Sequence, residues 1–180
     1  MRELKILNSA TSALEGADAL DPLVDRVKSV VQGVVPEPVS DVLHGIPVGH
    51  AVHPVAVLVP IGAWIGSAIL DFVPGSERAS RILVGVGIVS VLPSVATGLA
   101  DWSRLRADQS RVGIVHALTN TVATSLYAVS FVQRSRGRQL SGRLLGFAGL
   151  AVVGVSGYLG GHLTYRMGAS VERVSGPLQT

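Results

Sequence analysis

The residues best suited to chemistry in this chain are four of its five histidines, His50, His53, His116 and His162, together with Asp101. Each flanks or lies within a long apolar stretch. Neutral imidazole ligates haem iron, zinc, copper and non-haem iron alike. Haem b asks for one or two imidazoles between apolar walls and, often, cations for its propionates; Arg111 and Arg166 stand near the right positions. A non-haem transition metal would draw three or four ligands from His50, His53, His116, His162 and Asp101. The same imidazoles with Asn120, Tyr127 and Tyr158 can instead contact a quinone carbonyl. His50-x-x-His53 followed by Pro54 is not the helical His-Glu-x-x-His arrangement of zinc hydrolases. With no Glu inside the apolar stretches to act as a base, no catalytic residue is assigned. Spacing alone does not choose among the three chemistries.

The elements that must position these residues are four apolar stretches, Val52–Leu70, Ile82–Ala100, Val112–Val132 and Leu144–Tyr165. Each has about twenty residues, enough at ~1.5 Å per residue to cross a ~30 Å hydrocarbon layer. None contains Asp, Glu, Lys or Arg within those limits. If all four cross, both termini lie on one side, and the start of the first and third spans shares a face with the end of the second and fourth. That face receives His50, His53, Asp101, His116 and His162. Connectivity by itself gathers the ionisable groups at one end of one bundle.

Composition agrees with a membrane environment. Mean hydropathy is +0.48, with 48% hydrophobic and only 15% charged residues, against roughly 25% charged in soluble domains. Cysteine is absent, which excludes disulfides, thiolate-ligated zinc, cysteine-bound iron–sulfur clusters and covalent c-type haem. The net charge of +3 comes mostly from loop arginines, which are topology and headgroup signals before nucleic-acid ones. No basic run with interleaved aromatics is present, so nucleic-acid binding is not expected. Arg104, Arg106, Arg111, Arg166 and Arg173 fall on the histidine face, against Arg78, Arg81, Arg134, Arg136, Arg138 and Arg143 on the other. That balance decides nothing; Arg2, Lys5, Arg26 and Lys28 tip it toward a cytoplasmic N terminus.

The expected fold is all-α: an integral membrane four-helix bundle over 51–170, preceded by a polar tail and an amphipathic interfacial helix within 1–50, and followed by a tail over 171–180. Residues 1–18 show no strong periodicity, and no basic segment followed by an apolar one marks a cleavable signal peptide. From Asp21 a helix is expected, with Asp21 as cap, Pro22 in the first turn and a valine stripe through Val34. Pro36, Pro38 and Pro47 predict an irregular path to His50. Inside the spans, Ser90, Ser94, Thr97 and Asp101 share one helical face beside a kink expected at Pro93, as do His116, Asn120, Thr124 and Tyr127; Tyr158, His162 and Tyr165 form a shorter set. Gly62 with Gly66, Gly142 with Gly146, and Gly157 with Gly161 sit at the spacing that lets helix backbones approach.

The runs Leu43-His44-Gly45, Gly49-His50-x-x-His53-Pro54, Pro60-Ile61-Gly62-x-Trp64 and Leu70-Asp71 resemble a family of predicted bacterial membrane proteins. So do Thr97-Gly98-Leu99-x-Asp101, His116-Ala117-x-x-Asn120 and Gly160-Gly161-His162-Leu163-x-Tyr165. The resemblance covers residues 41–170, and the family is a domain of unknown function. Some members look fused to Rieske iron–sulfur domains, which implies electron transfer through haem b or quinone. This chain has no cysteine for such a cluster, so a Rieske partner would be a separate subunit. The expectation is thus a multi-pass electron-transfer or accessory subunit of the bacterial inner membrane, with a homo-oligomer possible. A non-haem metal protein and a cofactor-free scaffold are the alternatives.

Overall fold

Apolar side chains cover the outside of the four long helices as well as their contacts. Leu58, Ile69, Val89, Leu92, Leu144 and Val155 are all more than half exposed, as suits helices whose solvent is lipid. The computed structural model describes residues 5–169. In chain order it contains α1 (Lys5–Glu15), α2 (Asp21–Val34), α3 (Glu37–His44), α4 (His53–Ala56), α5 (Leu58–Leu70), α6 (Glu77–Trp102), α7 (Ala107–Ser135) and α8 (Gln139–Gly161), then a π-helical turn, His162–Arg166. Four segments are long and apolar enough to cross a membrane: His53–Leu70, Glu77–Trp102, Ala107–Ser135 and Gln139–Arg166. Their environment is a lipid bilayer. The tail expected over 171–180, with Arg173, lies outside the described residues.

The first span is interrupted at Val57, between α4 and α5. Pro60 explains the break, because it lacks the N–H that would bond the Ala56 carbonyl and its ring crowds that oxygen. By contrast α6 runs through Pro93 without a break. α5 pairs with α6 and α7 with α8, the latter most extensively; α6 against α7 and α5 against α8 complete the bundle. Its centre is Trp64, Val84, Ala123, Tyr127 and Val153, at least one from each span. Trp64 and Tyr127 stack with ring centroids 4.0 Å apart.

At the end away from the histidines, Asp71 and Arg134 form a buried bidentate pair with contacts of 2.6 and 2.7 Å. Arg134 also donates to Ser80, Ser130 and the Gly142 carbonyl, so all five of its N–H donors are used. Ser80 donates to Asp71 as well. The cluster ties the ends of α5 and α7 to the starts of α6 and α8. Gly142 makes room for it: a Cβ there would overlap the Arg134 side chain. Of the three glycine pairs, Gly142 and Gly146 do permit close approach, whereas Gly62 and Gly157 have nothing within 4 Å of where a Cβ would sit.

The N-terminal segment departs from its expected irregularity in two places. Residues 5–15 form α1, packed on α7, and 37–44 form α3, packed on α6. Pro38 suits the first turn of α3, and Gly45 ends it at φ 81°, where a Cβ would overlap the His50 carbonyl. α2 has the expected bounds and buries Val24 against Trp102 and Ile114. Lys28 and Gln32 reach the carbonyls of Leu105 and Ser103, and burial pushes the Lys28 ammonium below its ordinary value. Asp21 does not cap α2; its carboxylate turns to Arg111 at 2.7 and 2.8 Å.

Candidate functional site at the histidine-bearing end

His53 opens α4 and lies against α6. Its Nδ1 is 2.9 Å from the Ser94 carbonyl oxygen and 3.4 Å from Thr97 Oγ1. A carbonyl only accepts, so Nδ1 carries the proton and Nε2 presents its lone pair. His116, one turn beyond Val112 on α7, repeats the arrangement against α8. Its Nδ1 is 2.9 Å from the Ser156 carbonyl, with Ser156 Oγ at 3.1 Å, and Nε2 accepts from Asn120 Nδ2 at 3.1 Å. Both rings rest on glycines. A Cβ at Gly98 would lie 2.8 Å from His53 Cε1, and one at Gly160 would lie 3.1 Å from His116 Cε1.

The other candidates are placed elsewhere. His162, the first residue of the π turn, is buried and pairs through Nε2 with Glu15 Oε1 at 2.7 Å. His50 is exposed. Asp101 is 2.6 Å from His44 Nδ1, with the two side chains 11% and 7% exposed. Arg111 faces Asp18, Asp21 and the Glu15 carbonyl; its hydrogen bonds hold the Asp21 carboxyl below its ordinary value. Arg166 is exposed. Tyr158 and Tyr165 turn outward, at 39% and 91% exposure, because the interior of α8 at this level is made by Ser156, Leu159 and His162. Among the described residues no three His, Asp or Glu come together as a metal-ligand group. The five-residue convergence expected from connectivity therefore resolves into His53 held against α6, His116 held against α8, and separate pairs of His44 with Asp101 and His162 with Glu15.

His44 stands in the sequence only as part of the Leu43-His44-Gly45 run and is not among the candidate ligands. It precedes the first apolar stretch, and only the return of α3 over α6 brings it to Asp101. The available signal is Asp101 itself, a carboxylate ending a polar stripe and needing a partner when buried. His44 Nε2 is buried without a hydrogen-bond partner.

Comparison with curated proteins and with solved structures yields no match. A family model described as a predicted membrane protein of the DUF2231 type matches residues 49–173. It spans the His53 and His116 segments and all four apolar helices, so the chain belongs to this membrane-protein family.

Proposed function

We propose that this chain is a membrane electron-transfer subunit that holds haem b through His53 and His116. The observation that carries the reading is that each ring gives Nδ1–H to the backbone carbonyl of a facing helix, which leaves Nε2 as the electron-pair donor; in His116 that atom accepts from Asn120, a bond the iron would displace. That outer hydrogen bond fixes tautomer and ring plane in the way metal-bound histidines require. When bound, haem supplies reversible one-electron chemistry at its iron. The protein's part is to offer two neutral imidazoles, to hold them through Ser94 and Ser156, and to keep the Asn120 amide beside one donor atom.

The donor set favours haem over a non-haem metal. Haem takes at most two protein ligands, whereas zinc or non-haem iron needs three or more, and Asp101 and His162 are engaged with His44 and Glu15. Arg111 is engaged with aspartates, so it is not proposed for the propionates. The fitting electron partners are a quinone or a separate Rieske-type subunit in a bacterial inner membrane.

Purification from a haem-replete host tests the reading. A Soret band with one haem per chain is expected. Colourless protein with a stoichiometric metal would transfer the role to a non-haem site. Colourless, metal-free protein would overturn both and leave a hydrogen-bonded scaffold.

A further inference from the structure

α3 is amphipathic in reverse. Its polar residues face the bundle: Ser40 and Asp41 meet the Arg104 guanidinium at 3.0 and 2.9 Å, and His44 meets Asp101 at 2.6 Å. Its valines face away. Val39 and Val42, one turn apart, are each at least half exposed, and so are Ile46 and Val48 in the 3-10 turn that follows, Ile46–Val48. A helix packed on a bundle in water ordinarily buries its apolar stripe and shows its charges, and α2 does bury Val24. A run of large apolar side chains that all point outward calls for a cover other than water.

The neighbouring surface and the depth identify that cover. Val55 and Leu58 of the first span, likewise more than half exposed, carry the apolar surface on from Val48 into the lipid-facing side of the bundle. His44 is held at Asp101, just past the apolar stretch of α6, and His53 is held at the Ser94 carbonyl, two turns further in. Two turns are about 10 Å along the helix axis. Both ends of the segment 44–53 are therefore tied to levels of α6 at the membrane boundary. Its charges agree with that depth. Glu37 is exposed at the outer end of α3, and Asp41 is paired with Arg104. His50, exposed after the inner turn, has an apolar ring and a polar tip that suit the headgroup layer. Within the turn, Val48 N–H donates to the Gly45 carbonyl and Gly49 N–H to the Ile46 carbonyl, as backbone at the edge of hydrocarbon requires.

We infer that α3 and the turn after it are docked in the bilayer, with Val39, Val42, Ile46 and Val48 against the lipid at the boundary of headgroups and acyl chains. The occupant of this face is lipid, because the face is continuous with the lipid-facing surface of the first span. Membrane contact thus begins in α3, well before His53, and the docked helix is what holds His44 at Asp101. The docking stands whether or not haem is bound at His53 and His116.

The absence of cysteine lets single nitroxide labels report on the whole chain in phosphatidylcholine nanodiscs, one chain per disc. Val39→Cys, Val42→Cys and Ile46→Cys are labelled, with Leu58→Cys as the lipid-facing reference and the exposed Ser29→Cys on α2 as the aqueous one. Each label is read by power saturation with oxygen, which concentrates among acyl chains, and with a water-soluble nickel chelate. Labels at 42 and 46 should favour oxygen as the label at 58 does, the label at 39 should be intermediate, and the label at 29 should favour nickel. Wild type supplies a second measurement that needs no substitution. A phospholipid carrying a photoactivatable diazirine on its acyl chain should leave adducts within residues 39–48, mapped by tandem mass spectrometry. Nickel access at 42 and 46 equal to that at 29, or wild type without adducts over 39–48 while the first span is labelled, would overturn the proposal. So would spin–spin broadening at 42 that appears with two chains per disc and shields the label from oxygen, the mark of a second copy on this face.

Discussion

The two ends of the bundle are both polar, but they use polarity in opposite ways. At the Asp71–Arg134 end the groups saturate one another: every N–H of the guanidinium has an acceptor, and Ser80 serves both partners. At the histidine end the commitments are uneven: His53 and His44 bond through one nitrogen each, whereas His116 also accepts from Asn120 at Nε2. His53 and His116 give Nδ1 to a carbonyl, and His44 gives Nδ1 to Asp101 and leaves Nε2 buried without a partner. Unsatisfied polar groups are costly away from water. The saturated Asp71–Arg134 pair is structural, and the histidine end is where the function is proposed.

That contrast breaks most visibly at the saturated end. Asp71→Asn or Arg134→Ala leaves one buried charge without its partner and should cost about 3–5 kcal/mol, measured by thermal unfolding in detergent. Asp71→Leu with Arg134→Met should recover most of the loss, because the pair rather than either charge is what the packing requires. Burial raises the Asp71 carboxyl, but the bonds from Arg134 and Ser80 outweigh it and hold the group below its ordinary 3.8. Its contribution is thus complete above pH 3.8 and lost as pH falls through the lowered folded value. Unfolding temperature should stay level from neutral pH to about pH 4 and drop below it.

A smaller effect is expected from Gly142→Ala, whose Cβ would meet the Arg134 side chain. Overpacking there should cost about 1–3 kcal/mol. Gly98→Ala makes the sharper comparison, because its Cβ would meet the His53 ring. It should alter cofactor retention more than stability, whereas Gly142→Ala should do the reverse. Smallest is Asp21→Asn. The carboxylate is partly exposed beside Arg111, so global stability should hardly change, while limited proteolysis between α1 and α2 should accelerate.

How far each end could be read from the chain follows from the range of the interactions. The spans and α2 are written locally, in hydropathy and in a valine stripe of helical period, and the structure has them close to their expected bounds. Ser94, Thr97 and Tyr127 face inward as their spacing requires, at 6%, 4% and 1% exposure. The Asp71–Arg134 pair is not local. Each residue sits just beyond an apolar run and has the composition of a turn, and only the antiparallel packing of α5 and α7 joins them. α1 is hidden for a different reason: its inward stripe is polar, so an apolar period does not announce it. His162 has the right type and membrane level, yet its Nε2 is committed to Glu15, a partner from a helix the hydropathy does not announce.

The most direct test is the visible spectrum of the purified protein across single histidine-to-alanine variants. The account predicts a Soret band in wild type, lost or shifted to a five-coordinate form in His53→Ala and in His116→Ala. It predicts an unchanged band in His50→Ala and His162→Ala. A band that survives loss of both His53 and His116, or one that disappears only with His162, would contradict the assignment of the functional end to this pair.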